Sequence, residues 1–276
     1  MTGIPISILT PQGVIAAPYT AESLADAATR EPQGVYTLAR TFKSNQALLL
    51  DDHLDRLEQS AQLEGISTRL DRSALRAVLR ALIDQSGYAE ARFRITVPRD
   101  QPDHLILSLE LFKPVPTEII ENGARVITLR LERHNPIAKS TAWMAARQSA
   151  VGRFPPGIYE AILVGLDGAL LEGTSSNFYA IKDDALRTAG EDRVLQGIAR
   201  RILLEVAPAV LPVQLDPVNV NEIDILQEAL LTSSGRGVVP IVEIGGRAIG
   251  TGNPGPYTRR LRAAYDAWAD AHLEPI

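Results

Sequence analysis

Five short stretches combine residue types that can do covalent or ionic chemistry. The most distinctive is Glu172-Gly-Thr-Ser-Ser-Asn177, which sets a carboxylate, a glycine turn, three hydroxyls and an amide in one run. A carboxylate in that setting can lie buried beside a cationic ring nitrogen, with the hydroxyls and Asn177 holding its orientation. The same string also reads as a polar β-turn. Lys139 stands in Asn135-Pro-Ile-Ala-Lys-Ser-Thr141, between an apolar pair and a helix start that carries Trp143 and Met144. In an apolar setting a lysine amine gives up its proton more readily and can form a Schiff base, whereas on the surface it is a solvated charge. Leu195-Gln-Gly-Ile-Ala-Arg200 opens a helix with a glycine, so its first N–H groups are free to bind an anion. Thr232-Ser-Ser-Gly235 offers three hydroxyls before a glycine. Arg56 can add a cation to an anion site, or it can pair with Asp52 one helical turn earlier for ~0.3–0.5 kcal/mol.

Those residues sit in a chain of 276 residues, of which 45% are hydrophobic and 22% charged. This is globular composition, long enough for two domains or one large one. The net charge of −5 argues against a basic surface for nucleic acid or anionic lipid. The absence of cysteine removes disulfides, thiol nucleophiles and cysteine zinc sites, and four scattered histidines argue against a metal centre. MTGIPISILTPQG has neither the basic start nor the long apolar core of a secretory signal, and no apolar run approaches the ~20 residues of a membrane span. The expectation is a cytoplasmic protein without membrane or nucleic-acid partners.

The elements that must position the candidates follow from periodicity. Strands are expected at Val35–Phe42, Ala47–Leu50, Ala91–Val97 and Leu105–Phe112, with helices at Asp52–Glu64 and Ser73–Ser86. Leu54, Leu57, Ala61 and Leu63 make the apolar stripe of the first helix. Leu75, Val78, Leu79, Leu82 and Ile83 make that of the second. The two prolines of Lys113–Asn122 suggest an extended connection. Beyond it come a strand at Arg125–Leu131, a turn at His134–Pro136 and a helix near Ser140–Ala150. A strand-rich stretch, a helix at Gly197–Val206, strands at Glu228–Leu231 and Val238–Ile244 and a closing helix at Pro256–His272 complete the chain. The reading is two α+β lobes. On the strand Ala91–Val97, Arg92 and Arg94 share one face and Phe93 takes the other, so that face needs an anion or water. Arg40, Arg94 and Arg236 are the candidates to hold a substrate carboxylate.

The order and spacing of His53-Leu-Asp-Arg-Leu57, Lys139, Glu172-Gly-Thr-Ser-Ser-Asn177, Leu195-Gln-Gly-Ile-Ala-Arg200 and Thr232-Ser-Ser234 resemble the class IV (fold type IV) pyridoxal-phosphate enzymes. That family includes branched-chain and D-amino-acid aminotransferases, (R)-amine transaminases and 4-amino-4-deoxychorismate lyase. The resemblance runs from residue 33 to residue 260. It implies a small N-terminal α/β domain (1–113), a linker (114–122) and a large C-terminal domain (123–276), with pyridoxal 5'-phosphate between the lobes. It also implies that Lys139 is the catalytic lysine, which forms the Schiff base and later moves the Cα proton. Glu172 then pairs with the pyridine nitrogen, which must stay protonated for the ring to draw electrons. Arg56, Gly197, Ile198, Ala199, Ser233 and Ser234 bind the phosphate, Leu195 packs on the ring, and Asn177 orients the site. Tyr36 joins Arg40, Arg94 and Arg236 as substrate-binding residues.

The expected activity is transfer of an amino group between an amino acid or amine and a 2-oxo acid by a ping-pong mechanism, in a homodimer. The alternative is pyruvate elimination by the lyase. Three positions depart from the family's patterns. Ala199 stands where Thr is frequent. Ser-Thr-Ala-Trp-Met follows the lysine in place of the branched-chain Asn-Tyr, and Tyr36-Thr-Leu-Ala-Arg40 lies nearer to the lyase's strand.

Overall fold

A computed structural model describes residues 3–131, 133 and 135–276 of the chain. Two compact units emerge. The first runs to Lys113 and takes in Ala138–Gln148 and His272–Ile276; the second comprises Pro114–Ile137 and Ser149–Ala271. The expected division at 113/123 therefore differs from the observed one in two segments that pack with the first unit although they lie far along the chain.

The first unit contains β1 (Ile6–Thr10), β2 (Gly13–Ala16), α1 (Leu24–Ala28), β3 (Gly34–Phe42), β4 (Gln46–Leu48), α2 (Leu50–Leu63), α3 (Arg72–Ser86), β5 (Ala91–Pro98) and β6 (Leu105–Leu111). With the C-terminal strand Leu273–Pro275 they form a seven-stranded antiparallel sheet, in the order C-terminal strand, β4, β3, β5, β6, β1, β2. Leu50, Leu54, Leu57 and Ala61 of α2 and all five expected residues of α3 enter one core with Phe93 and Ile95 of β5. Leu63 does not follow. It is 42% exposed, because two residues past Ala61 is roughly 200° around a helix. On α2 a second buried stripe, His53, Arg56 and Ser60, is polar. The β1–β2 hairpin and α1 gave no periodic signal, being four or five residues each.

In the second unit the Lys113–Asn122 segment is not wholly extended. It holds α4 (Thr117–Asn122), with Pro116 as the N-cap residue, where its missing N–H interrupts no helical bond. After β7 (Ala124–Leu129) the expected turn at His134–Pro136 begins outside the described residues, and Pro136 and Ile137 form a turn. The chain then supplies α5 (Thr141–Val151), which lies in the first unit up to Gln148, followed by β8 (Glu160–Val164), β9 (Leu170–Gly173), β10 (Asn177–Lys182), β11 (Ala185–Arg187) and α6 (Ile198–Val206). It ends with β12 (Val213–Gln214), β13 (Glu228–Ser233), β14 (Gly237–Ile244), β15 (Arg247–Ala248), α7 (Pro256–Ala271) and β16, the C-terminal strand already described.

The second sheet runs β12-β11-β10-β13-β14-β7-β8-β9, and β9 pairs back onto β10 through Asn177 and Glu172. Six strands thus close into a barrel around Val126, Ile162, Phe178, Leu231 and Ile241. The pair that closes it, Glu172 and Asn177, bounds the most distinctive string of the sequence.

Candidate active site

In the first unit the polar stripe of α2 meets β3. Thr37 Oγ1 lies 2.9 Å from His53 Nδ1 and accepts from Arg56 Nη2 at 3.1 Å. All three side chains are buried. Ser60 Oγ, one turn beyond Arg56, accepts the backbone N–H of Lys139 at 3.2 Å. The other flank of the lysine is held as firmly, since its carbonyl accepts the N–H of Tyr36 at 3.0 Å and Ser140 bridges to Val35. Thr141 Oγ1 then accepts from Gly34 N at 2.8 Å. Lys139 is thereby laid along the start of β3, with its Nζ 4.9 Å from the centroid of the Tyr36 ring. The first unit brings together Lys139, Tyr36 and Arg56, which lie up to 103 positions apart in the sequence. His53, Thr37 and Ser60 were not singled out as site residues. Only the face they share on α2 and β3 could have revealed them.

Two of the arginines expected to hold a substrate carboxylate have internal anions in this unit. Arg94 and Glu31 form an ion pair with side chains 1% and 0% exposed. Arg94 also donates to the Leu24 carbonyl at 2.7 Å. Glu31 accepts in addition from Thr96 Oγ1 at 2.7 Å and Ser108 Oγ at 3.1 Å. Arg92, on the same face, pairs with Glu110 at 3.1 Å. The anions that this face needed thus come from the chain. Arg40 pairs with Glu90 at 3.0 Å and lies over the rings of Phe42 and Phe112, 3.7 and 4.3 Å from their centroids.

The second unit assembles the remaining candidates around the barrel closure. Glu172, 3% exposed, accepts the backbone N–H of Leu195 on Oε2 at 3.1 Å. Its Oε1 accepts from Arg133 Nη1 at 2.7 Å, a buried pair that the sequence did not suggest. Asn177 Nδ2 donates to the Leu195 carbonyl at 2.8 Å, so Glu172 and Asn177 grip both polar groups of one peptide residue. Gly197 is the N-cap of α6, without a side-chain cap, and a Cβ there would lie 2.4 Å from Asn177 Oδ1. The N–H groups of Ile198 and Ala199, first in the helix, have no acceptor within it. Buried Arg200 pins the same turn by donating to Thr188 Oγ1 at 2.8 Å and the Ala189 carbonyl at 2.6 Å.

Asn177 also pairs in register with Thr232 on β13, which leads directly to Ser233 and Ser234. Thr232 Oγ1 lies 3.1 Å from the Tyr179 hydroxyl, which burial pushes up to about 12 despite the lowering by Arg200, so it stays neutral. Both serines are half-buried, Ser233 as the last residue of β13 and Ser234 in the turn that follows it. Arg236, in the same turn, pairs with the buried carboxylate of Glu160 at 2.7 Å. Each of the three candidate arginines therefore has an internal carboxylate in its own unit.

Pyridoxal phosphate requires an acid at its ring nitrogen, donors for its phosphate and an amine for its aldehyde. The second unit holds the first two in one assembly: a buried carboxylate bonded to Leu195, two residues before the N-cap of a helix without a side-chain cap. The first unit holds a lysine fixed on both sides through its backbone. These donor sets fit the group.

The family model for amino-transferase class IV matches residues 34–244. Among similar proteins, a putative branched-chain-amino-acid aminotransferase of Methanocaldococcus jannaschii is 26% identical over 84% of this chain and 85% of its own length. A D-alanine aminotransferase of Bacillus licheniformis is 27% identical over 84% and 86%. Among solved structures, a T.th. branched-chain amino acid aminotransferase with pyridoxamine 5'-phosphate superposes with a TM-score of 0.81 at 18% identity, covering 100% of this chain and 99% of that one. The branched-chain aminotransferase of Thermoproteus uzoniensis gives 0.80 at 20% identity and covers 99% of both chains. These structures share the two-domain fold type IV architecture, and the family model, spanning three quarters of the sequence, decides the assignment. The chain belongs to the class IV aminotransferases, enzymes that depend on pyridoxal 5'-phosphate.

Proposed function

We propose that the chain transfers amino groups between amino acids and 2-oxo acids, with Lys139 as the catalytic base and Glu172 as the acid at the ring nitrogen. The observation that carries the reading is the bond from Leu195 N–H to buried Glu172, which ties the ring acid to the helix start expected to bind phosphate. When bound, pyridoxal phosphate supplies an aldehyde carbon and a ring that accepts the electron pair of the substrate's Cα–H bond. With the group bound, Lys139 would supply the amine for its aldehyde and the base for the substrate's Cα proton. Tyr36, beside its Nζ, limits where that amine can swing. With the group bound, the N–H groups of Ile198 and Ala199 and the hydroxyls of Ser233 and Ser234 would hold its phosphate, and the resemblance adds Arg56 to that set. Leu195 and Asn177 fix the plane of the ring acid.

Arg40, Arg94 and Arg236 already hold Glu90, Glu31 and Glu160. A substrate carboxylate at any of them would share a guanidinium that an internal carboxylate already engages. The substrate carboxylate thus meets either one of these shared guanidinium groups or hydroxyls and backbone N–H groups. A homodimer and a cytoplasmic location belong to the same reading; among the described residues no helix is long and apolar enough to cross a membrane. The test is a screen of L- and D-amino acids and (R)-amines as donors against pyruvate and 2-oxoglutarate. Transfer to an acceptor supports the reading, and pyruvate release from aminodeoxychorismate without any transfer overturns it.

A further inference from the structure

Glu160 was not among the residues that the sequence suggested, yet it binds two separate stretches of the second unit. It begins β8 and is 3% exposed. Its Oε1 accepts from Ser175 N at 2.6 Å, Ser175 Oγ at 3.1 Å and Thr174 Oγ1 at 3.3 Å. Its Oε2 accepts from Arg236 Nη1 at 2.7 Å. The guanidinium continues the path, with Nη2 donating to the Ser175 carbonyl at 3.1 Å and its Oγ at 2.9 Å, and Nε donating to Ser233 Oγ at 2.8 Å. Arg236 is 24% exposed and lies 5.5 Å from the Tyr159 ring centroid.

Thr174 and Ser175 lie in the loop directly after Glu172, and Ser233 lies at the head of the other loop, beside Ser234. These loops are tens of residues apart in sequence. The contact is close: a Cβ on Gly173 would lie 2.7 Å from Glu160 Oε1 and 2.1 Å from Ser176 Oγ. A planar fork with one edge on the carboxylate and others on two loops fixes distance and angle together, which an ammonium cannot do. Burial alone would raise the Glu160 carboxyl, but Arg236 and the Ser175 N–H outweigh it and hold it below its ordinary range.

We propose that Glu160 and Arg236 are positioning residues that form a clasp setting the spacing between the Glu172 loop and the Ser233–Ser234 loop. The proposal rests on the reading above, in which one loop meets the ring and the other the phosphate of the same cofactor. A ligand that touches both loops then gains from correct spacing, whereas a ligand that touches one does not.

The experiment compares Glu160→Gln, Arg236→Gln, Arg236→Lys and the Glu160→Gln/Arg236→Gln double variant with the parent. Apoenzyme is titrated with pyridoxal phosphate, with pyridoxal and with inorganic phosphate, and its melting temperature is recorded. The clasp predicts a loss of pyridoxal phosphate affinity of ~10-fold or more in each Gln variant, with the double variant no worse than the singles. Arg236→Lys should fail to restore it, and affinities for pyridoxal and for inorganic phosphate should stay within about twofold of the parent's. Unchanged pyridoxal phosphate affinity overturns the clasp, as does a parallel loss for all three ligands together with the melting temperature. Should the unsubstituted protein fail to bind pyridoxal phosphate, the cofactor reading falls first and the clasp with it. The double variant, which removes both charges, keeps the test open where a single one fails to fold.

Discussion

At the scale of single residues, the site separates into groups that do chemistry and groups that hold them. The proposed function puts Glu172 in the first kind, and its carboxylate is shared between Arg133 and the Leu195 N–H. Glu172→Gln keeps the shape but removes the charge that would hold a ring nitrogen protonated. It should leave pyridoxal phosphate bound and slow the proton-transfer half-reaction by at least ~100-fold in single-turnover kinetics. An unchanged rate would mean that another group protonates the ring. Lys139, Arg56, Glu172 and the Gly197–Ala199 helix start stood out as candidates in the sequence because their spacing follows a pattern. Arg133, Glu160 and Glu31 were not, because a buried ion pair leaves no mark in local sequence; its partner lies 39, 76 or 63 residues away. Arg92 and Arg94 show the converse: alternation placed them on one face, but only the fold showed that Glu110 and Glu31 fill the need for anions there.

At the scale of elements, long amphipathic segments were readable and short ones were not. α3 follows from Leu75, Val78, Leu79, Leu82 and Ile83, and its core contacts agree with that pattern. β1, β2, α1 and β16 are three to five residues each and owe their form to neighbours rather than to their own periodicity. The linker helix α4 was hidden by prolines that in fact precede it. The Arg94–Glu31 pair joins β5 to the segment after α1 and is fully desolvated. Glu31→Gln should cost ~3–5 kcal/mol in denaturant unfolding because it strands a buried guanidinium, while Glu31→Leu with Arg94→Met should cost less. Equal losses would show that the pair itself, not the stranded charge, carries the stability.

Acid sensitivity belongs to the same scale. The folded carboxyl of Glu160 lies below its ordinary 4.5, so the unfolded chain takes up the proton first as pH falls. The stability it contributes is complete above that range and is lost on passing down through the lowered value. The parent should lose melting temperature more steeply below 4.5 than Glu160→Gln does.

At the scale of the whole molecule, the sequence read as two lobes in chain order, whereas the observed units are interleaved. Ala138–Gln148, which carries Lys139, and the last residues, His272–Ile276, belong to the first unit. Ser60 and Tyr36 explain the first placement through the backbone of Lys139, and pairing with β4 explains the second. Neither tie has a signature in local sequence.

The central claim is that Lys139 serves amino-group transfer, and it is tested most directly by following the visible absorption of the pyridoxal-phosphate-loaded enzyme through one half-reaction. With a productive amino acid and no acceptor, the band of the lysine-bound cofactor should disappear once, with stoichiometric release of a 2-oxo acid. Addition of a different 2-oxo acid should restore it, and Lys139→Ala should show neither change while remaining folded. A Lys139→Ala protein that completes the cycle, or a parent whose band never responds to any amino donor, would contradict the account.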